Sequence, residues 1–355
     1  MKITYKKHEL QFKFEAATSR GVLKNHSVYY VKIQNIDTHY VTGIGECAPL
    51  QGLSIDYVAD FEEKLSAVCK QLSQIENLSL SDVYNTIPED LPSIRFGFET
   101  AFLDYTNRGG MKVFSNDFSE KSKPILINGL IWMGSKDLML KRIQEKLADG
   151  YKTLKLKIGA INFEEECNLL QHIRLNFSDR DVTIRLDANG AFAPNEAVEK
   201  LERLSTYHIH SIEQPIAAGQ TTLFRDIIEK SPIPIALDEE LIGVFNQEKE
   251  HLLALLKPAY IILKPTILGG FGATKKWIQL AEKHDIKWWI TSALESNIGL
   301  NAIAQWTFLH RNLMPQGLGT GALYINNFDC PLQVLDGQLW YNNELNWNLN
   351  IDSFR

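Results

Sequence analysis

The sequence predicts an α/β protein, a (β/α)7β TIM-like barrel with an N-terminal α+β capping domain. Two observations support the barrel. From about residue 125 onward, short apolar strand patterns alternate with amphipathic helical stretches, and charged residues recur at the ends of those strands. A third observation supports the capping domain: the residues before about 105 show longer strand patterns followed by helical ones, which is typical of a separate α+β module.

The capping domain is predicted to span residues 1–105. Period-two alternation or a high content of β-branched and aromatic residues predicts strands in Lys2–Phe14, Ser27–Gln34 and Tyr40–Glu46. Helical periodicity follows in Ile55–Leu72, Ser79–Asn85 and Ser93–Asn107. The third helix is expected to begin with Ser93 as its N-cap, because serine is a favoured cap and here it follows Pro92.

The barrel is predicted to span residues 106–328. Its seven strand candidates begin at Ile125, Thr153, Thr183, Ser211, Pro234, Tyr260 and Lys287. The glycine-rich stretch from Gln316 is a candidate start for an eighth strand. Residues 329–355 break this rhythm, and the sequence DGQLWYNNE within them predicts a hairpin. We expect this C-terminal segment to pack back on the capping domain.

Composition excludes several classes of protein. The 355 residues carry a formal charge of −6, and no basic run indicates binding to nucleic acid or to a membrane surface. The N-terminus lacks the features of a secretory signal, and no apolar run approaches the roughly 18 residues that span a bilayer. Four widely spaced cysteines favour reduced thiols. We therefore expect a cytoplasmic protein that acts on a small molecule, with the oligomeric state, monomer or homo-oligomer, left open.

Two lysines share one face of the strand that begins at Thr153. Alternate residues of a strand point the same way, so Lys155 and Lys157 face one side while their apolar neighbours face the other. A strand that is buried on both faces is normally apolar throughout. Two buried lysines are costly unless their face reaches a polar site, so the pair indicates one.

The following strands carry acids and a further lysine near their ends. Asp187, Glu213, Asp238 and Lys264 follow one another at intervals of 26, 25 and 26 residues, about one strand–helix unit each. The ends of consecutive parallel strands meet at the carboxyl mouth of a barrel, where such enzymes place their chemistry. The sequence therefore predicts a ring of a lysine pair, three acids and an opposing lysine.

Three crowded carboxylates predict a hard divalent cation. Mg²⁺ prefers oxygen ligands and Mn²⁺ is also possible, whereas the set contains no histidine or cysteine to indicate zinc. Neighbouring positive charge lowers the pKa of a lysine and lets it act as a base. The set therefore suits removal of a proton next to a carboxylate of the substrate. The alternative is that each residue is a helix cap or a solvated surface group. Five such positions in register over successive units favour the site.

The pattern resembles the enolase superfamily, in its muconate-lactonizing subgroup. The matching stretches are LKLKIG around Lys155 and Lys157, RLDANGAF around Asp187, IEQP around Glu213, ALDE around Asp238 and ILKPTILGG around Lys264. The resemblance covers essentially the whole chain. It implies that Lys157 removes the α proton and then protonates the departing hydroxyl, that Lys155 tunes Lys157, and that Lys264 stabilises the intermediate from the other side. The three acids are implied to bind Mg²⁺, in agreement with the lysine-base chemistry known for this superfamily.

The resemblance also implies roles outside the ring. Thr18, Ser19 and Arg20 match a mobile loop that closes over the substrate, although a solvated hairpin turn is an alternative. Ser292 and Ala293 lie where backbone N–H groups would bind a second carboxylate. Asn189 is expected to orient a metal ligand, and Arg185 either neutralises site charge or forms an internal ion pair. Glu295 matches a family acid near the lysines, with no role assigned.

The sequence indicates the kind of chemistry more clearly than it indicates the substrate. Segments outside the ring most resemble dehydratases of this subgroup: TSRGVL at Thr18–Leu23, GIGECAPLQGLS at Gly43–Ser54, LPSIRFGFETA at Leu91–Ala101, NGLIWMG at Asn128–Gly134 and SALESNIGLNAIAQ at Ser292–Gln305. This resemblance implies a dehydration that creates an aromatic ring. The same lysines would also serve racemisation of N-acylamino acids, epimerisation of dipeptides or cycloisomerisation. A non-catalytic barrel that binds a carboxylate is the alternative from another class.

Overall fold

The structure is a computed structural model that describes residues 1–18, 21–35 and 41–349. Its N-terminal part is an antiparallel sheet in the order β1-β2-β3, with strands Lys2–Thr18, Gly21–Gln34 and Thr42–Cys47. Three helices follow, α1 (Phe61–Ser73), α2 (Leu80–Thr86) and α3 (Pro92–Thr106). The predicted α+β pattern of this region is confirmed. Helix α1 begins later than predicted, because the chain after Leu50 first forms hydrogen-bonded turns.

The prediction that Ser93 caps α3 is wrong. The helix begins at Pro92, whose fixed φ suits the first helical position, so Ser93 lies inside the first turn. Its hydroxyl donates to Asp56 Oδ2 at 2.5 Å and its N–H to the same oxygen at 2.8 Å. Asp56 therefore satisfies the start of α3 from outside the helix.

Glycines let α3 pack directly on β3. A Cβ on Gly45 would lie 1.9 Å from the carbonyl oxygen of Gly97, and a Cβ on Gly97 would lie 2.3 Å from the sulfur of Cys47. Since real Cβ atoms do not approach other atoms so closely, both positions require glycine. The resulting contact buries the apolar core that the sheet and helices of this part share.

The second part is a curled parallel sheet of seven strands with helices outside. In chain order its strands are β5 (Gly129–Ile131), β6 (Thr153–Lys157), β7 (Thr183–Asp187), β8 (Ser211–Glu213), β9 (Ile235–Leu237), β10 (Tyr260–Leu263) and β11 (Lys287–Ile290), and neighbours in the chain are neighbours in the sheet. The segment predicted as one strand from Ile125 is divided. Its first two residues form β4 (Ile125–Leu126), which pairs elsewhere, and its end forms β5.

Two residues link the edges of this sheet. Gln316 forms a parallel bridge with Ile127, next to β5, and Gly317 forms one with Thr291, next to β11. The hydrogen bonds from Gln316 N to Leu126 O and from Gly317 N to Ile290 O are both 2.8 Å long. The sheet with these bridges is an α/β barrel-type fold, whose strand ends face one opening.

Helices surround the parallel sheet and bury its outer face in the largest apolar core of the described residues. They are α4 (Asp117–Lys121), α5 (Lys136–Ala148), α6 (Phe163–Asn176), α7 (Pro194–Ser205), α8 (Thr221–Lys230), α9 (Glu248–Leu256), α10 (Pro265–Leu268), α11 (Gly270–Lys283) and α12 (Asn297–Leu309). No helix within the described ranges has the length and apolarity needed to cross a membrane.

The predicted C-terminal hairpin is present as β12 (Leu332–Leu335) and β13 (Gln338–Tyr341). Its turn, Asp336–Gly337, has φ values of +50° and +66°, as a tight two-residue hairpin turn requires. Strand β13 pairs with β4. Beyond the hairpin, Trp347 and Leu349 pack against a cluster that includes Leu10 and Tyr30 of the first sheet.

Candidate active site

Strand register brings the charged residues predicted from the spacing to one level of the sheet. Lys157 pairs with Asp187 across β6 and β7, and Asp187 pairs with Glu213 across β7 and β8. Asp238 directly follows β9 and Lys264 directly follows β10. All of these side chains are buried. The structure therefore brings the predicted ring together at the carboxyl ends of consecutive strands.

Lysine ammonium groups lie between the carboxylates. Lys155 Nζ is 2.9 Å from Asp187 Oδ2 and 2.5 Å from Glu213 Oε2. Lys157 Nζ is 3.0 Å from the same oxygen of Asp187, and Lys264 pairs with Asp238. The buried positive and negative charges thus offset one another, which a low-dielectric interior requires.

The two lysines of β6 differ in the direction of their pKa shifts. Burial lowers the pKa of Lys157, and the charges of Lys155 and Lys264 lower it further, against the attraction of Asp187. Burial also disfavours the charged form of Lys155, but Asp187 and Glu213 outweigh it, so the pKa of Lys155 is raised. Lys157 is therefore the easier of the two to deprotonate.

A cavity of about 250 Å³ lies against one side of the ring. Of the predicted site residues, those that line it are Lys155, Lys157, Lys264, Asp187, Asn189, Ser292 and Ala293. Glu213 and Asp238 are buried and do not line it. Both β6 lysines and the opposing lysine thus reach the space where a ligand would bind.

Asn189 holds Lys157 in place. Its Oδ1 accepts a hydrogen bond of 2.8 Å from Lys157 Nζ, and its Nδ2 donates one of 3.0 Å to Glu239 Oε1. Its main-chain N–H donates to Asp187 Oδ1 at 3.0 Å. The residue has φ of +44°, a conformation that asparagine tolerates better than most residues. The side chain of Asn189 thus orients the lysine, and its main chain orients Asp187.

The acids have the donor chemistry for a hard cation. Their oxygens occupy three consecutive strand ends, and Glu213 Oε1 is buried without a hydrogen-bond partner among the described residues. Buried carboxylate oxygens normally have a partner, and an oxygen without one is suited to bind a cation. As the side chains stand, no three described acidic, histidine or cysteine groups converge closely enough to hold one ion. Lys155 lies between two of the acids, so its ammonium would have to share their oxygens with a cation.

Arg185 lies away from the cavity, inside the barrel. Its guanidinium stacks on the ring of Trp289 at 3.9 Å and donates to Pro315 O at 2.8 Å. Burial lowers the pKa of Arg185 to about 10, while the charge of Glu213 acts in the opposite direction. This geometry places Arg185 where it neutralises Glu213 at long range and out of contact with a ligand in the cavity.

Glu295 connects two loops that border the cavity. One oxygen accepts from the hydroxyl of Thr266, two residues after Lys264, and the other accepts from the N–H of Ala293 at 2.8 Å. The side chain has no exposed surface, and burial raises its pKa. Both oxygens are engaged, so Glu295 positions the loops after β10 and β11 relative to each other.

Two buried carboxylates of the first part reach the starts of barrel helices. Glu46 accepts from Ser296 N and Gly299 N, each at 2.8 Å, at the start of α12. Glu99 accepts from Phe271 N at 2.6 Å at the start of α11. Acidic groups are favoured at helix N-termini, where backbone N–H groups lack partners. No local sequence signal indicates such long-range pairs, and we did not predict them.

Further residues line the cavity that the sequence did not single out as site residues. They include Val22, Leu23, Leu50, Gln51, Leu53, Asn128, Leu130, Trp132, Leu294 and Thr320. The ring of Trp132 faces Lys157 Nζ at 5.9 Å. Alternation along the strand after Ile127 would have revealed Asn128, Leu130 and Trp132 as one inward face. Of the predicted closing loop, only the backbone of Thr18 is described, paired with Gly21, and Ser19 and Arg20 lie outside the described residues.

Comparison with known proteins identifies the class. Residues 138–344 match the enolase C-terminal domain-like family, and the chain belongs to this family. The predicted resemblance to the enolase superfamily is thereby confirmed. The chain is 43% identical to o-succinylbenzoate synthase of Desulfotalea psychrophila over 365 aligned residues, which cover 96% of this chain and 98% of that protein.

A solved structure and a further relative extend the comparison. The crystal structure of MenC from Desulfotalea psychrophila LSv54 superposes with a TM-score of 0.85 at 40% identity, covering 96% of this chain and 99% of that one. Hydrophobic dipeptide epimerase from a Flavobacteria bacterium, strain MS024-2A, is 25% identical over 349 residues, covering 94% of this chain and 96% of that protein. The first of these relatives supports the barrel-type fold over nearly the full length.

Proposed function

We propose that this chain is an o-succinylbenzoate synthase of menaquinone biosynthesis. It removes water with syn geometry from 2-succinyl-6-hydroxy-2,4-cyclohexadiene-1-carboxylate and releases o-succinylbenzoate. The observation that carries the proposal is the buried ring in which Lys155, Lys157 and Lys264 face one cavity beside three acids. The full-length identity of 43% to a protein with this activity supports the choice of substrate.

Lys157 is the proposed base. Its lowered pKa makes a neutral amine accessible, and Asn189 and Asp187 hold its nitrogen at the cavity wall. The amine takes the proton next to the substrate carboxylate. The resulting ammonium then gives that proton to the departing hydroxyl, so the C–O bond breaks as water leaves and the ring becomes aromatic. The same residue serves as base and acid because syn elimination places both groups on one face.

Lys155 and Lys264 act as fixed positive charges. Lys155 stays protonated beside Asp187 and Glu213 and, by its charge, keeps Lys157 easier to deprotonate. Lys264, on the other side of the cavity, faces the negative charge that develops on the substrate. A preorganised ammonium in a water-poor site stabilises such charge without reorganisation.

Asp187, Glu213 and Asp238 would hold Mg²⁺, or Mn²⁺. The all-oxygen donor set and the orphaned Glu213 Oε1 support this assignment. When bound, the cation would stabilise negative charge on the substrate carboxylate. Arg185 would offset part of the remaining acid charge from behind the ring.

The cavity lining favours an anionic or neutral remote group on the substrate over an ammonium. Among the described residues that line it, Asp187 is the one acid, and it is already paired with two lysines. The ammonium of a dipeptide would therefore be desolvated without a carboxylate partner, which is costly. This disfavours dipeptide epimerisation. N-acylamino acid racemisation stays the second candidate, because Lys157 and Lys264 both face the cavity and two opposed bases are what racemisation needs.

Several finer features belong to the same proposal. We propose that Gln316–Gly317 occupies the eighth strand position, which gives the (β/α)7β arrangement. We also propose that residues 1–105 act as a capping domain over a barrel formed by 106–328, with residues 329–355 packing back on the capping domain. The loop that contains Thr18, Ser19 and Arg20 would close over the substrate, and the four free cysteines suit a reducing cytoplasm.

The test is turnover of the cyclohexadiene substrate by purified protein with Mg²⁺. We expect rapid loss of the diene absorbance and formation of o-succinylbenzoate. Incubation of N-succinylamino acids in deuterium oxide tests the second candidate, because racemisation exchanges the α proton. Folded protein that leaves the diene unchanged would refute the proposed function, and exchange in that case would support the racemase.

A further inference from the structure

A short loop connects the strand that carries two of the lysines, β6, to helix α6. It runs from Ile158 to Asn162, and Lys157 is the last residue of the strand before it. Ile158 N donates to Asp187 O at 2.9 Å, so the loop starts beside the end of the neighbouring strand. A shift of this loop would therefore be transmitted to the position of Lys157 relative to Asp187.

Glu166, in the first turn of α6, reaches back to this loop. The residue is buried, with 3% of its surface exposed, and its Oε1 accepts from Gly159 N at 2.5 Å. Burial raises the pKa of Glu166 to about 7, and the N–H groups of Gly159, Ile161 and Ala160 oppose this shift by hydrogen bonding to the carboxylate. Three successive N–H groups that converge on one carboxylate form an anion-binding nest. The carboxylate of Glu166 thus holds the loop in one conformation.

Gly159 connects this loop to the loop after β7. Its φ is +94°, a conformation that glycine adopts readily, and a Cβ there would lie 2.4 Å from the Cβ of Ala191. The two loops are therefore in contact, with no room for a further atom between them. Ala191 N donates to Ala188 O at 3.0 Å and closes the turn that contains Asn189. Asn189 Oδ1 in turn accepts the hydrogen bond from Lys157 Nζ.

We propose that Glu166 is a positioning residue for Lys157. It acts through the loop that begins directly after Lys157 and through the contact of Gly159 with the turn that contains Asn189. This inference rests on the proposed function, in which Lys157 is the base, and it adds a residue outside the cavity to those that the reaction needs. Because Glu166 does not line the cavity, its removal should slow proton transfer and leave substrate binding nearly unchanged.

Steady-state kinetics with the diene test the proposal. Glu166→Ala should lower kcat about 10-fold or more, since small misplacements of a reacting group cost this much, and should change KM less than about twofold. Glu166→Gln keeps one acceptor oxygen for Gly159 N but has no negative charge, so its kcat should lie between those of the wild type and Glu166→Ala. Glu165→Ala is the matched control, because Glu165 is the exposed neighbour in the same helical turn, and should change neither constant. A kcat for Glu166→Gln no higher than that for Glu166→Ala would overturn the role of the contact with Gly159.

A second substitution tests the contact between the two loops. Gly159→Ala places a Cβ against Ala191 and should lower kcat by a similar factor with little change in KM. Because Glu166→Ala and Gly159→Ala act through the same loop, the double variant should lose less activity than the product of the two single losses. Losses that multiply fully would show two independent effects and would overturn the shared path.

Hydrogen exchange followed by mass spectrometry gives a readout that does not depend on the reaction. Glu166→Ala should speed the exchange of backbone amides in residues 158–162 and also in residues 188–191, while α10, beside Lys264, keeps its wild-type exchange. Faster exchange in 158–162 alone would overturn the link to Asn189. A uniform increase through the barrel would overturn the positioning role as well, because Glu166 would then only stabilise the fold.

The same experiments separate this inference from the proposed function. Wild-type protein that leaves the diene unchanged would refute the function and, with it, the role of Glu166 in the reaction. Wild-type protein that converts the diene, together with an unchanged kcat in Glu166→Ala, would refute the positioning role and leave the function standing.

Discussion

Glu46 should be one of the most sensitive positions outside the ring of lysines and acids. This buried carboxylate accepts three hydrogen bonds, from Ser296 N, Gly299 N and the hydroxyl of Ser296, at 2.6–2.8 Å. Glu46→Ala leaves the two backbone N–H groups at the start of α12 without a partner in a place that water does not reach. Each orphaned donor costs about 1–3 kcal/mol, and the removal of a buried charge offsets part of this cost. We expect a net loss of about 3 kcal/mol in the free energy of unfolding.

The substitution Glu46→Ala should also affect the candidate active site. Ser296 directly follows Glu295, whose side chain holds the loops after β10 and β11 at the cavity. A displaced start of α12 would shift both loops, so we expect Glu46→Ala to lower kcat/KM for the diene about 10-fold or more, since small misplacements of positioning groups are costly. Glu46→Gln keeps one acceptor oxygen and should lose about half as much stability.

Urea unfolding and steady-state kinetics on the same preparations check this reasoning. Glu196→Ala, at an exposed glutamate paired with Lys200, is the matched control and should leave both measurements unchanged. If Glu46→Ala costs less than about 1 kcal/mol, the hydrogen bonds to α12 do not carry the energy assigned to them. If stability falls but kcat/KM stays at the wild-type value, the link from α12 to the cavity loops is wrong.

The other predictions concern the ring and the pH dependence of stability. Lys157→Ala and Lys264→Ala should each lower kcat at least about 100-fold with native circular dichroism, as removal of an acid–base or charge-stabilising group does, and a near-wild-type rate in either would contradict its role. Chelation by EDTA should abolish turnover of the diene, and Mg²⁺ or Mn²⁺ should restore it; full activity after chelation would refute the metal. Burial raises the pKa of Asp104 to about 7. The folded state therefore holds this carboxyl group protonated at pH 5, and the protein loses stability as the pH rises through about 7 and the group ionises. Relative to the wild type, Asp104→Asn should therefore gain about 2–4 kcal/mol of unfolding free energy between pH 5 and pH 8, measured in urea, and no gain would contradict the raised pKa.

The ring was predictable because its spacing follows from the fold. One strand–helix unit separates Asp187, Glu213, Asp238 and Lys264, and parallel strands place such positions at one end of the sheet. The depth of each residue was not predictable. Whether Glu213 lines the cavity or lies behind Lys155 depends on which rotamers the neighbouring strands leave open. The spacing of residues along the chain predicts at which end of the barrel strands they lie. Packing of the neighbouring side chains decides whether a given side chain lines the cavity.

The features that could not be predicted from the sequence are contacts between residues that lie far apart in the chain. Glu46 and Ser296 are 250 residues apart, so no local pattern connects them. Ser93 was assigned as a cap from its local neighbourhood, but Asp56, 37 residues away, satisfies the start of that helix. Both cases have one cause: a helix terminus requires some partner, and tertiary structure can supply it from anywhere. Local preference indicates that a cap is needed and does not specify its source.

The charges of the ring explain why three lysines accompany three acids. With all six groups ionised the ring is neutral, which a buried site tolerates. With Lys157 as the neutral amine that a base must be, the ring would carry one negative charge, and a divalent cation would bring it to one positive charge. In the proposed mechanism, proton removal would turn Lys157 from an amine into an ammonium while the substrate gains a negative charge beside it. The total charge of the cavity is constant through this step, so the surrounding buried groups need little reorganisation, which is the condition for efficient electrostatic catalysis.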